Sequence, residues 1–89
     1  MDVAEMKASI KEIITNITNL DPEEIGDADS FTQDLDLDSL SLLEIGVDVD
    51  YEFKLGLPEE EMRGIDSVNE TVALVTKTLN EKNATAEVA

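Results

Sequence analysis

The chain has 89 residues, 42% hydrophobic, with one Tyr, two Phe and no Trp, so it supports one domain with a modest aliphatic core. It holds no His and no Cys, which removes the side chain that titrates near neutrality, the thiolate nucleophile and the disulfide, and makes an independent hydrolase or zinc protein a poor fit. Six basic against 22 acidic residues give a formal net charge of −16, a field that repels nucleic acid and anionic membranes and steers the protein toward basic protein surfaces.

Residues 1–20 carry Asp2, Glu5, Lys7, Lys11 and Glu12, so this stretch is neither a secretory core nor a membrane span, and a cytoplasmic location is expected. Val3, Met6, Ile10, Ile13, Ile14 and Ile17 recur at steps of three and four, which predicts a core-facing helix that Asn19 and Pro22 end. The connection over 18–38 is long for a small domain, but local signals predict that it is ordered. Asp21-Pro22-Glu23-Glu24 has a cap, a proline at the first helical position and an acid after it, and Ser30-Phe31-Thr32-Gln33 repeats capping-box spacing. Ile25, Phe31, Leu35 and Leu37 are spaced as plugs that pin the loop onto helices.

The second helix is expected from Ser39 to about Lys54, capped by Asp38 and stopped by Gly56 and Pro58. A short turn of helix over 59–63 closes at Gly64. A last helix opens on the capping box Ser67-Val68-Asn69-Glu70 and buries Val68, Val72, Val75 and Leu79. Residues 1–82 read as one all-α domain, a four-helix bundle with a long first loop and a short third helix, and 83–89 as a flexible tail. Met1 and the short tail suggest a free-standing protein, and a monomer is expected.

The second helix departs from ordinary amphipathicity. At about 100° per residue, Leu42, Ile45, Val49 and Phe53 form one apolar stripe, while Leu40, Leu43, Val47 and Tyr51 form another on nearly the opposite side. Glu44, Asp48, Asp50 and Glu52 lie between them, which argues against burial all round and for one core face and one partner face. Gly46 interrupts the helix at a cost of about 1 kcal/mol relative to Ala; close approach, flexibility and simple tolerance all fit it at this stage.

Asp38-Ser39-Leu40 alone is an ordinary helix start. In its setting, Phe31-Thr32-Gln33-Asp34-Leu35-Asp36-Leu37-Asp38-Ser39-Leu40, followed by Glu44, Phe53, Leu57-Pro58 and Ile65, the chain over roughly 3–80 resembles the acyl carrier protein family. The resemblance implies a non-catalytic carrier whose Ser39 takes a covalent 4′-phosphopantetheine from coenzyme A through a phosphopantetheinyl transferase, with Asp38 and Leu40 flanking it. It implies acyl groups held as thioesters and presented to acyltransferases, ketosynthases and related enzymes of fatty acid or polyketide biosynthesis that have basic docking surfaces. Leu43, Glu44 and Val47 would be contacts, with Asp48 and Asp50 as flanking charges, and Leu42 would sit near the cavity for acyl chains. Ser41-Leu42, Asp36-Leu37, Gly46 and Lys54 depart from typical fatty acid carriers and lean the reading toward a specialised or polyketide-type cargo.

The nearest rival is a peptidyl or aryl carrier of nonribosomal peptide synthesis, which the strong acidity disfavours. Asp34, Asp36 and Asp38 raise a calcium-binding module, but an EF-hand loop from Asp34 needs Gly where Ser39 stands and a bidentate Glu where Ile45 stands. An unmodified acidic adaptor is the third alternative. The charge itself generates a prediction: self-repulsion makes the fold salt-sensitive, so added salt or divalent cations should raise the melting temperature, and a flat response in calorimetry contradicts it.

Overall fold

The computed structural model describes residues 2–88, and the side chains of these except Glu59, Arg63 and 82–88. Helix α1 is Val3–Thr18, α2 Ser39–Phe53, α3 Glu59–Arg63 and α4 Val68–Val88, with a 3-10 turn at Pro22–Glu24 and no strand among the described residues. The four-helix, all-α expectation is met. Helix α4 runs on through 83–88, the stretch assigned to a tail from sequence.

The ends of α1 and the start of α4 follow from local chemistry. Asp2 caps α1 by accepting the Glu5 N–H at 2.8 Å, and Asn19, left-handed at φ 66°, closes it through its N–H to the Thr15 carbonyl at 2.8 Å. Met6, Ile10 and Ile14 are buried on one face, with Ile13 and Ile17 packed beside them. The Ser67 hydroxyl accepts the Glu70 N–H at 3.1 Å at the head of α4, while the Glu70 carboxylate reaches back to the Asp66 N–H at 3.3 Å. That is the predicted capping box, displaced by one residue on its return bond. Helix α1 packs on both α2 and α4, and α3 packs on α2. Ile10, Ile14, Ile45, Val49, Val68 and Val75 meet at zero exposure in the core.

The connection 19–38 is held as strongly as the helices. Phe31 and Ile25 are buried plugs, and a phenylalanine removed fully from water contributes about 1.5–3 kcal/mol. Leu35 and Leu37 are half-buried against the same core. Asp27 bonds to Lys7 at 2.9 Å and Lys11 at 2.7 Å, and its carbonyl accepts the Asn69 N–H at 3.0 Å, so one residue ties the loop to α1 and α4. Asp66 does the corresponding work before α4. Its carboxylate accepts the Ser30 hydroxyl, the Thr32 hydroxyl and the Thr32 N–H, while its carbonyl accepts the Phe31 N–H at 2.7 Å. Hydrogen bonds from the Lys11 and Lys7 ammonium groups hold the Asp27 carboxyl below its usual range, and the Ser30 hydroxyl, then Thr32, does the same for Asp66.

Two expected caps take a different form. Asp21 makes no side-chain cap bond; the turn closes through backbone bonds from Glu24 to Asp21 at 2.9 Å and from Ile25 to Pro22 at 3.2 Å. Ser30 does accept the Gln33 N–H at 3.1 Å, but no helix follows, and Asp34 rather than Gln33 returns a bond to the Ser30 N–H at 2.7 Å. The plug at Phe31 and the bonds to Asp66 bend the chain before a helix can propagate.

Gly46 is resolved by α3. A Cβ built on it would lie 2.8 Å from Cβ of Met62, itself buried, so the glycine permits close approach of α3 to α2. Gly46→Ala gains about 1 kcal/mol of helix propensity but forces the two helices apart, an overpacking penalty of about 1–3 kcal/mol. The expected net result is a lower urea midpoint, whereas a solvent-exposed helical glycine would give a higher one.

Candidate functional site at the start of the second helix

Asp38, in extended conformation at φ −89° and ψ 175°, sets the first turn of α2. Its carboxylate accepts the Ser41 N–H at 2.8 Å and its carbonyl accepts the Leu42 N–H at 3.0 Å. The chain arrives there under control: the Leu37 N–H bonds to the Phe31 carbonyl at 2.8 Å, and Asp36 turns left-handed at φ 56° between half-buried Leu35 and Leu37. Asp tolerates that conformation better than most side chains, though less freely than Gly. Ser39 is therefore the first residue of α2 and is exposed, and its hydroxyl makes no hydrogen bond to the described residues.

The remaining candidates fall around it. Leu40 and Val47 are 62% and 54% exposed, Leu43 is half-buried beside them, and Tyr51 at 83% ends the stripe. The opposite stripe is the core side, with Ile45 and Val49 fully buried and Leu42 and Phe53 packed at its margin. The two-faced reading of α2 thus corresponds to two different environments. An open depression of about 360 Å³ lies directly beside Ser39, lined by Leu40, Leu42 and Leu43.

The acids divide in a way the sequence does not reveal. Glu44 and Asp48 are exposed one turn apart, and Glu52 continues their line. Asp50, named with them as a flanking charge, is half-buried and its carboxylate accepts the Leu57 N–H at 3.0 Å, so it braces the turn between α2 and α3. Glu52 and Tyr51, placed by sequence in the flank and the outward stripe but not named as contacts, extend these lines by the four-residue step from Asp48 and the seven- and four-residue steps from Leu40 through Val47. The three loop acids do not converge as cation ligands: Asp34 and Asp38 each turn a carboxylate to a backbone N–H of their own turn.

Comparison with known proteins finds relatives over most of the chain. Residues 8–75 match the family described as phosphopantetheine attachment site. The chain is 40% identical over 82 residues to the meromycolate extension acyl carrier protein of Mycobacterium tuberculosis, covering 92% of this chain and 70% of the relative. It is 38% identical over 85 residues to the protein of the same name from Mycolicibacterium aurum, covering 96% and 87%. Against the acyl carrier protein of Rhodococcus erythropolis the identity is 34% over 73 residues, covering 82% and 80%.

The cap at Asp38 has a pH signature. The Ser41 backbone N–H, then the Ser41 side chain, stabilises the ionised form and holds this carboxyl below its usual range. A depressed carboxylate contributes stability that is complete above the unfolded value, about 3.9, and lost as pH falls through the lower folded value. Carbon-detected NMR titration should place the Asp38 midpoint below that of an unfolded aspartate, and Asp38→Asn should keep α2 folded while removing this part of the acid response.

Proposed function

This chain belongs to the acyl carrier protein family, and on that premise we propose that Ser39 is the residue that bears its 4′-phosphopantetheine. The observation that carries this reading is the Ser39 hydroxyl, exposed and unengaged at the first residue of α2, in the Asp38-Ser39-Leu40 sequence. The surroundings fit the group. A phosphodiester there meets the N-terminal end of a 15-residue helix, whose dipole favours an anion. The apolar walls of the depression, Leu40, Leu42 and Leu43, give uncharged parts of an arm or cargo a place against the helix. Once attached, the group supplies the thiol that a chain without cysteine cannot.

The protein is a carrier of acyl intermediates in lipid biosynthesis and not an enzyme; its chemistry is performed by partners, a phosphopantetheinyl transferase and biosynthetic enzymes. The chain's own residues hold and expose a hydroxyl, orient the helix beneath it and offer a docking face. That face comprises Leu40, Leu43 and Val47 with Glu44 and Asp48 beside them. It suits an apolar groove with Lys or Arg on its rim, where exposed charges contribute encounter rate and register. The relatives' names favour an acyl cargo over a peptidyl one. They also favour a lipid chain under extension over the polyketide-type cargo that the departures around Asp36 and Gly46 suggest. No helix among the described residues is long and apolar enough to cross a membrane.

Incubation of the apo protein with coenzyme A and a broad-specificity transferase should add one phosphopantetheinyl group to the intact mass of the wild type and none to Ser39→Ala. No gain, or an equal gain in the variant, would overturn Ser39 as the attachment point.

A further inference from the structure

Asp66 precedes Ser67, the cap of α4, and every polar group it has is engaged. Its N–H donates to the Glu70 carboxylate at 3.3 Å, and its carbonyl accepts the Phe31 N–H at 2.7 Å. One carboxylate oxygen accepts the Ser30 hydroxyl; the other accepts the Thr32 N–H at 3.2 Å and the Thr32 hydroxyl at 3.1 Å. The start of α4 does not need this carboxylate, because the Ser67 hydroxyl already accepts the Glu70 N–H at 3.1 Å. Its bonds all run to residues 34 or 36 positions earlier. From there a short path leads to Ser39. The Phe31 ring is buried, and its backbone is gripped on both sides, the N–H by Asp66 and the carbonyl by the Leu37 N–H at 2.8 Å. Leu37 adjoins Asp38, whose carboxylate and carbonyl set the first turn of α2 and with it Ser39.

We propose that Asp66 is a positioning residue for the transfer of phosphopantetheine to Ser39, fixing through Phe31 and Leu37 the orientation in which the serine hydroxyl meets coenzyme A on the transferase. This rests on the reading of Ser39 as the attachment point. In that transfer the Ser39 oxygen bonds to the phosphorus next to the pantetheine, the bond from that phosphorus to the bridging pyrophosphate oxygen breaks, and adenosine 3′,5′-bisphosphate departs. The hydroxyl proton passes to a base of the transferase. Asp66 acts on none of these atoms directly. It acts on their alignment, where an error of about 1 Å lowers a rate by about 10²-fold. Ser39 is sensitive to what precedes it, because the first turn of a helix lacks the intrahelical N–H bonds that fix later residues. Asp27 supplies an internal contrast. It tethers the same connection, but the buried Phe31 plug and the Asp66 bonds stand between it and Ser39. Slack released at Asp27 ends at that plug, whereas slack released at Asp66 reaches Asp38.

The test measures loading of the full-length apo protein with coenzyme A by a broad-specificity phosphopantetheinyl transferase, followed by intact mass. It is run at a temperature where circular dichroism shows each variant folded. Asp66→Ala should lower kcat about tenfold and leave KM for the carrier within about twofold, because the α2 surface is unchanged. Asp66→Asn, which keeps one acceptor oxygen, should recover part of that loss. Asp27→Ala should load at the wild-type rate although its urea midpoint also falls. Amide hydrogen exchange at Leu37 should quicken in Asp66→Ala and not in Asp27→Ala. Wild-type kcat in Asp66→Ala, a rise in KM alone, or rates that follow the urea midpoint across all three variants overturns the positioning role while leaving Ser39 in place. Should Asp66→Ala fail to fold, Asp66→Asn decides, and an unchanged kcat in it overturns the role. A wild type that takes up no group, or a Ser39→Ala variant that does, is a separate readout that removes Ser39 and the role of Asp66 with it.

Discussion

The position of the candidate site depends on the pinning of the connection 19–38. Ser39 follows a stretch that has no regular helix beyond one turn, and such a stretch would leave its end poorly placed if held only by its termini. Instead, Ile25 and Phe31 are driven into the core, and every turn between them and Asp38 has a polar tether. Asp27 and Asp66 are the main ones, each joining the loop to elements distant in sequence through both its carboxylate and its carbonyl. The hydrophobic plugs supply most of the free energy, and the carboxylates supply the register. Asp38 then starts α2 at a fixed point, and the exposure of Ser39 follows from that.

The same chemistry accounts for how an excess of acids is managed. Carboxylates repel one another, but ionised they are also the strongest acceptors available to loop N–H groups and hydroxyls. Asp27, Asp34, Asp38, Asp50, Asp66 and Glu70 are used in this way, each turned to a named donor. Glu44, Asp48 and Glu52 remain facing water along one flank of α2. A uniformly acidic composition thus becomes an asymmetric molecule, with some negative charge spent on internal order and some kept for a surface beside the Leu40–Val47 stripe. Asp50 and Glu52 illustrate the division: two residues apart on one helix, they face different tasks because the turn at Leu57 passes one and not the other.

Helix α2 joins the two demands. Its inward stripe is ordinary core, but packing it tightly requires Gly46, because Met62 of α3 approaches closer than a side chain would allow. The outward stripe leaves Leu40, Val47 and Tyr51 in water, an arrangement that hydrophobic burial alone does not favour in an isolated domain. Helix α2 thus carries the core on one face and, on the reading proposed above, recognition on the other.

The sequence by itself determined the helix count, the capping at Asp38 and Ser67, and the two stripes of α2. Each of these is written in residues within one or two turns of each other, where helical period and cap chemistry act. The motif around Ser39 was legible for the same reason, and with it the family. Sequence left open why Gly46 is glycine, which acids are engaged, and why Ser30 caps a bend and no helix. Those answers depend on Met62, Leu57 and Asp66, partners that contiguous pattern does not identify. Only the tertiary structure decided them, because steric approach and hydrogen-bond pairing between distant segments are set by how the helices pack.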